Sequence, residues 1–324
     1  MESPEPAFGH QIDRLRAPLF LSWQLTRDCN LACVHCCTDS APGRRLADEL
    51  DLAATLDVAS QIVTEEIPYV MLCGGEPLIA PYFWTIAETL GRGGVFLKIE
   101  TNGQKVDLET VKRFAELPIR SVQVSIDGDS QKVYQRQRPG AILGTTHAAC
   151  GLVRDAGLPL EVTFAPTRIN IHEAEQVIDR ARSFGAFRFN TGALMQMGTA
   201  ARLWDKLEPS SEQYADFKDV LATQSKESSG GMEICYSPFD LQEGMRRAVA
   251  EPPATLLVLP NGYVKIAAAL SLICADLRES RLHQAWDAYR KAWRTKSVRL
   301  AAKHVIADQK EHQRANSWQI LTAA

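Results

Sequence analysis

The sequence predicts an α/β fold: a barrel or partial barrel of parallel strands, followed by a small α+β region. Three observations carry that expectation. Short β-rich runs alternate with helical segments through the first two thirds of the chain, a polar or glycine-rich motif follows each of the first four runs, and the alternation stops near Gly198.

Residues 1–18 form an N-terminal segment. The expected strands are 19–26 (LFLSWQLT), 69–75 (YVMLCGG), 95–101 (VFLKIET), 121–127 (SVQVSID), 160–167 (LEVTFAPT) and 187–195 (FRFNTGALM). Leu52, Leu56, Ala59 and Val63 recur at helical spacing, which predicts a helix over 52–67; another is expected over 172–184. Strand, helix, strand repeated in this way implies parallel strands with helical crossovers on the outside. Six such units over 19–200 fit a partial barrel.

Beyond residue 200 the pattern changes. Residues 207–231 read as a helix running into a Ser/Gly-rich linker, and 255–269 (TLLVLPNGYVKIAAA) as a hairpin turning at Asn261 and Gly262. A helix follows from about Arg281, with Leu282, Trp286, Tyr289 and Trp293 on one stripe, a pattern of core packing rather than of a ligand box. Residues 201–324 are therefore expected as a second, smaller domain.

At 324 residues, 45% apolar and 23% charged, the chain can bury a sizeable core and is not a disordered protein. Its start lacks the basic and apolar regions of a signal peptide, and no apolar run approaches the roughly 18–20 residues of a membrane span. A cytoplasmic protein without membrane partners is expected. In a reducing compartment eight cysteines do not form a disulfide framework, so a cluster of them points to metal or redox chemistry. The net charge of −3 is unevenly spread: residues 278–314 carry ten Lys or Arg against four Asp or Glu. That segment reads as a solvated helical face or, more sharply, as a site for a phosphate-bearing substrate. No nucleic-acid-binding motif is present, and nucleic acid is not an expected partner.

In a barrel of this kind the loops after the strands form the active face. The suspicious motifs all fall there: the cysteine cluster after the first strand, GGEP (residues 74–77) after the second, TNG (101–103) after the third and SIDG (125–128) at the end of the fourth. Their convergence argues for an enzyme. Cys29, Cys33 and Cys36 have the spacing C-x3-C-x2-C. A cubane iron–sulfur cluster offers four irons, so three thiolates leave one iron open to a small molecule. A structural zinc site wants four closed ligands, and His35 and Cys37 each adjoin Cys36, which makes simultaneous ligation awkward. The residues favour iron–sulfur over zinc.

Over residues 19–198 the sequence closely resembles the radical S-adenosylmethionine (radical SAM) family, whose motif is this cysteine loop after the first strand of a partial (β/α)6 barrel of the TIM type. The resemblance implies that Cys29, Cys33 and Cys36 bind a [4Fe–4S] cluster whose fourth iron is chelated by S-adenosylmethionine. It places His35 near the adenine, and makes Gly74, Gly75, Glu76 and Pro77 the segment that receives the methionine amino group. Thr101 and Asn102 match a polar position after the third strand, and Ser125 and Asp127 the site that meets the ribose and carboxylate. Arg138, or less aptly Arg136, pairs the cofactor's carboxylate. Thr167 and Asn170 line the site or cap the helix at His172, and Cys37 and Cys73 are small buried hydrophobes. The implied chemistry is reductive cleavage of S-adenosylmethionine to a 5′-deoxyadenosyl radical, fed by an external flavodoxin- or ferredoxin-like donor.

The last third resembles the SPASM or twitch extension of such enzymes, in the hairpin and the helix after it. It departs from them in carrying KIAAA where members with auxiliary clusters have cysteine, and only Cys235 and Cys274 follow Cys150. Two cysteines do not make a four-thiolate cluster, so a lid without iron is expected, which puts two-electron oxidation in doubt. A redox-neutral reaction is expected, epimerisation foremost with decarboxylation or elimination behind it, and with Cys235 and Cys274 as candidate hydrogen-atom donors. About eighteen residues precede the first strand, short for a leader-binding domain. That favours a small polar substrate of sugar, aminoglycoside or nucleoside type, possibly phosphorylated, over a ribosomal peptide, the alternative. A non-catalytic metal-binding scaffold would not need GGEP, TNG and SIDG.

Overall fold

A computed structural model describes residues 11–227, 231–237 and 240–321. Residues 1–10 of the N-terminal segment and 228–230 of the Ser/Gly-rich linker lie outside the described residues.

Six parallel strands follow one another in chain order: β1 (Phe20–Gln24), β2 (Tyr69–Cys73), β3 (Phe96–Thr101), β4 (Ile119–Ser125), β5 (Leu160–Phe164) and β6 (Arg188–Gly192). The crossovers are α1 (Leu52–Thr64), α2 (Phe83–Arg92), α3 (Leu108–Ala115), the pair α4 (Gln131–Gln137) and α5 (Leu143–Asp155), and α6 (Ala174–Ser183). Side-chain caps fix several starts: Asp51 accepts from the Ala54 N–H at α1 and Asp107 from the Thr110 N–H at α3. The six expected strands and the helix at 52–67 are all present, as is the barrel-type α/β architecture.

Strand residues alternate between two environments, as the pleat requires. Leu97, Ile99, Val122, Val124 and Val162 are fully buried under the helices. The opposite face is polar and mostly paired internally. There Lys98 pairs with Glu161 at 2.8 Å, Asn190 donates to both Glu161 and Gln123, and Gln123 donates to Glu100.

After α7 (Gly198–Arg202), α8 (Trp204–Leu207) and α9 (Ser211–Glu227), the strand β7 (Glu233–Ser237) adds parallel to β6. Helix α10 (Leu241–Ala250) then leads to β8 (Thr255–Val258), which pairs parallel with β1 on the other edge. The expected hairpin is present: β9 (Tyr263–Lys265) runs antiparallel to β8, with Gly262 at φ +84 in the turn. The chain continues through β10 (Leu272–Asp276), α11 (Leu282–Ala292), α12 (Lys296–Ala307) and β11 (Gln319–Ile320). The result is one eleven-stranded sheet, so strands from beyond residue 200 extend both edges of the barrel sheet. The α11 stripe is core, as its pattern predicts: Leu282, Trp286 and Tyr289 are buried, the Trp286 indole donates to the Leu15 carbonyl and the Tyr289 hydroxyl to the Pro253 carbonyl. Among the described residues no helix is long and apolar enough to cross a membrane.

Candidate active site

The loop leaving β1 carries the three thiols, and the segment after β2 holds it in place. The Gly75 N–H donates to the Thr26 carbonyl and the Glu76 N–H to the Asp28 carbonyl. The approach is so close that a Cβ on Gly75 would lie 1.8 Å from the Asp28 oxygen, which is why glycine stands there. Glu49 gathers the other side of the loop, accepting from the Thr26 hydroxyl and the Arg27 and Leu46 N–H groups.

Each thiol already faces donors. Cys29 accepts from the Leu31 N–H and Asn102 Nδ2, Cys33 from Arg138 Nη1 at 3.7 Å, and Cys36 from the Ser40 N–H. All three are free cysteines. Burial pushes the Cys29 thiol up to about 12, and Cys33 up to about 11 although the Arg138 guanidinium opposes the shift. A buried thiol gives up its proton to a metal that supplies positive charge. Among the described residues no three His, Cys, Asp or Glu side chains are placed to hold a single metal ion. Three thiols on three different irons need not meet at one point, so this donor set fits a cluster better than zinc.

Around the thiols lies a buried polar shell. Glu76 is fully buried, and its carboxylate accepts from the Thr101 hydroxyl at 2.8 Å, the Asn102 N–H at 2.8 Å and the Leu78 N–H at 3.2 Å. Burial nonetheless raises its carboxyl to about 7. The GGEP carboxylate therefore ties the end of β2 to the end of β3. Pro77 opens the short turn Pro77–Ile79, and Gly74 sits at φ +131. Asp127 accepts from Arg138 Nε at 2.6 Å and from the Ala165 N–H at 2.7 Å, and lies 3.1 Å from His35 Nε2. Burial works against its charge, but Arg138 and His35 outweigh it and hold the carboxyl well below the usual range. His35 Nδ1 is buried without a partner among the described residues, a polar atom that an adenine would satisfy. Ser125 is half-buried, with its carbonyl accepting from the Tyr134 hydroxyl. Arg136 is exposed, whereas Arg138 is buried beside Cys33. Thr167 and Asn170 are fully buried: Asn170 holds the N-cap position of the turn Ile171–Glu173 while its amide bridges the Asp127 and Ala165 carbonyls, and Thr167 donates to Gln137 Oε1.

Residues 23–181, the stretch that holds this whole shell, match the model of the Radical SAM superfamily. The chain carries a radical SAM domain. Over 228 residues it is 30% identical to the mycofactocin maturase MftC of Mycobacterium tuberculosis, covering 70% of this chain and 58% of that protein. Over 260 residues it is 29% identical to the AdoMet-dependent heme synthase of Methanosarcina barkeri, covering 78% and 71%. The fold is similar to that of Streptococcus suis SuiB bound to its precursor peptide SuiA, with a TM-score of 0.70 at 14% identity over 84% of this chain and 65% of that one. This chain thus spans less than two thirds of the length of the maturase it matches. Radical SAM proteins use a [4Fe–4S] cluster and S-adenosylmethionine, and the three free thiols with their buried carboxylate and guanidinium neighbours fit both.

The candidate site has further parts that local spacing did not reveal. Gly198 presses on the cysteine loop, where a Cβ would lie 2.7 Å from the Cys36 and Cys37 carbonyls, and the Thr199 N–H donates to the Cys36 carbonyl. From the far end of the chain, Asn316 Nδ2 donates to the Cys37 carbonyl and to Asp39, and Trp318 packs by Arg27. An apolar cavity of about 520 Å³ opens at the ends of β5, β6 and β7, walled by α10 and by Ala267, Ala268 and Ala269 of the KIAAA segment.

The remaining cysteines are dispersed. Cys73 is buried against the Ser22 hydroxyl and the Trp23 carbonyl, and Cys37 is half-buried with its thiol raised by burial to about 12. Cys235 lies in β7 in register with Asn190, a residue of the cavity wall. Cys274, at the opposite end of the strand order, donates to the Val264 carbonyl, and burial raises its thiol to about 12. The basic segment does not converge on the site: Arg278, Arg281, Arg290, Arg294 and Arg314 are each paired with a carboxylate.

Proposed function

We propose that this chain reductively cleaves S-adenosylmethionine and uses the resulting 5′-deoxyadenosyl radical to modify a peptide. The observation that carries the first half is the arrangement of Cys29, Cys33 and Cys36 against the buried Asp127–Arg138 pair at one end of the parallel strands. In this reading the three thiols hold the cluster, and the external flavodoxin- or ferredoxin-like donor feeds it. The backbone of residues 74–77 receives the cofactor's amino group, with the Glu76 carboxylate ordering Thr101 and Asn102 rather than binding directly. Ser125, Asp127 and Arg138 serve the ribose and carboxylate, and His35 the adenine. Residues 201–324 are the SPASM- or twitch-like extension that covers the substrate, without an auxiliary cluster.

The peptide half is supported by SuiB, whose fold this chain shares and which is solved with a precursor peptide. The heme synthase relative supports a small-molecule substrate as the second reading. For a redox-neutral outcome such as epimerisation, Cys235 is the thiol to supply hydrogen: its S–H bond breaks as the substrate C–H bond forms, and an electron from the external donor with a solvent proton restores it. The Cys274 contact to Val264 supports packing instead.

Anaerobic reconstitution, reduction and chromatography test the first half, with 5′-deoxyadenosine and methionine as the expected products; intact S-adenosylmethionine overturns it. Short peptides encoded beside this gene test the second half by mass spectrometry, where a mass or stereochemical change supports a peptide substrate and its absence favours the second reading.

A further inference from the structure

Among the described residues Lys265 is a buried charge without a counter-charge. It ends β9, opposite Leu257 of β8, and is only 3% exposed. Its ammonium donates to the Ala268 carbonyl at 2.7 Å, and among the described residues no carboxylate pairs with it. By contrast, the half-buried Lys98 is paired with Glu161 and the buried Arg138 with Asp127. Burial lowers the Lys265 amine to about 8, the response of an ammonium that has lost water and gained no anion. Leaving it unpaired destabilises the fold, which a methionine of similar length would not.

The place where it ends is informative. Lys265 lines a recess of about 70 Å³ together with Cys37 and Trp318, directly beside the cysteine loop. That recess shares Met195 and Ala268 with the apolar cavity of about 520 Å³. A charged terminus and an apolar chamber thus adjoin beside Cys37, the residue that follows Cys36 in the chain. A single ammonium and little room suit a carboxylate; a phosphate dianion calls for more donors.

We propose that Lys265 binds the carboxylate of the substrate while the apolar body of the substrate fills the adjoining cavity. The substrate, or the peptide segment that enters, is then an apolar or aromatic group bearing a free carboxylate. This rests on the radical SAM reading only for the role of the bound molecule, because binding is measured without turnover.

The test titrates reconstituted protein with 3-phenylpropionate and with 3-phenylpropionamide by calorimetry. The acid should bind about tenfold or more tightly than the amide. In Lys265→Met that preference should vanish while amide binding persists, and Lys265→Arg should keep part of it. Removal of an unpaired buried charge should also raise the melting temperature of Lys265→Met. Equal binding of acid and amide, no binding of either, a preference that survives in Lys265→Met, or a lower melting temperature in that variant overturns the proposal. Failure of the wild-type protein to cleave S-adenosylmethionine would overturn the radical SAM reading and leave this comparison standing.

Discussion

The Arg138 guanidinium reaches both the Asp127 carboxylate, at 2.6 Å, and the Cys33 sulfur, at 3.7 Å, so one buried cation joins the cysteine loop to the end of β4. Arg138→Met strands a fully buried carboxylate with the His35 imidazole as its remaining side-chain neighbour. A loss of about 3–5 kcal/mol is expected in chemical denaturation. The double variant Asp127→Asn, Arg138→Met should regain much of that stability without regaining S-adenosylmethionine cleavage. Equal instability of single and double variants would show that the pair is not the cause.

Glu76 gives a pH dependence of the opposite sign from an ordinary ion pair. Its folded-state carboxyl is raised to about 7 by burial, above the roughly 4.3 of an unfolded chain. Its contribution is fully present below about 4.3 and is lost as pH rises through about 7, a change on the order of 3 kcal/mol. Melting of the metal-free protein across that window, compared with Glu76→Gln, should show the slope in the wild type and a flatter profile in the variant.

Iron analysis after anaerobic reconstitution should find about four irons per chain. Cys33→Ala should lose the cluster and S-adenosylmethionine cleavage, whereas Cys37→Ala, whose thiol is held neutral by burial, should retain most of both. Eight irons would restore an auxiliary cluster.

Two glycines make a matched pair. Gly75→Ala drives a Cβ into the Asp28 carbonyl and should lower iron loading by shifting the cysteine loop. Gly151→Ala, within α5 and with open space around it, should stabilise the protein by about 0.5–1 kcal/mol. Thermal melting and iron content read out both.

Turnover in deuterium oxide should place solvent deuterium in the product if Cys235 donates hydrogen, because the thiol proton exchanges. Cys235→Ala should then accumulate 5′-deoxyadenosine without product, and a product two electrons more oxidised than the substrate counts against the thiol.

The sequence by itself determined what is local. Six strand–helix alternations, the C-x3-C-x2-C loop, GGEP, TNG and SIDG are each readable within a few residues, because strand period, helix period and ligand spacing are short-range properties. The α11 stripe and the Asn261–Gly262 turn were legible for the same reason. Only the tertiary structure decided the rest. The strand Glu233–Ser237 is five residues long and half-buried on an edge, too weak a pattern to announce itself, and the parallel pairing of β8 with β1 joins residues more than two hundred positions apart. The same distance in sequence hid the Asn316 contact with Cys37 and the burial of Lys265 beside the cysteine loop. Tertiary contact also turned Glu76 inward, to Thr101 and Asn102. A buried carboxylate or ammonium takes its role from what surrounds it, and in this protein those surroundings are assembled from opposite ends of the chain.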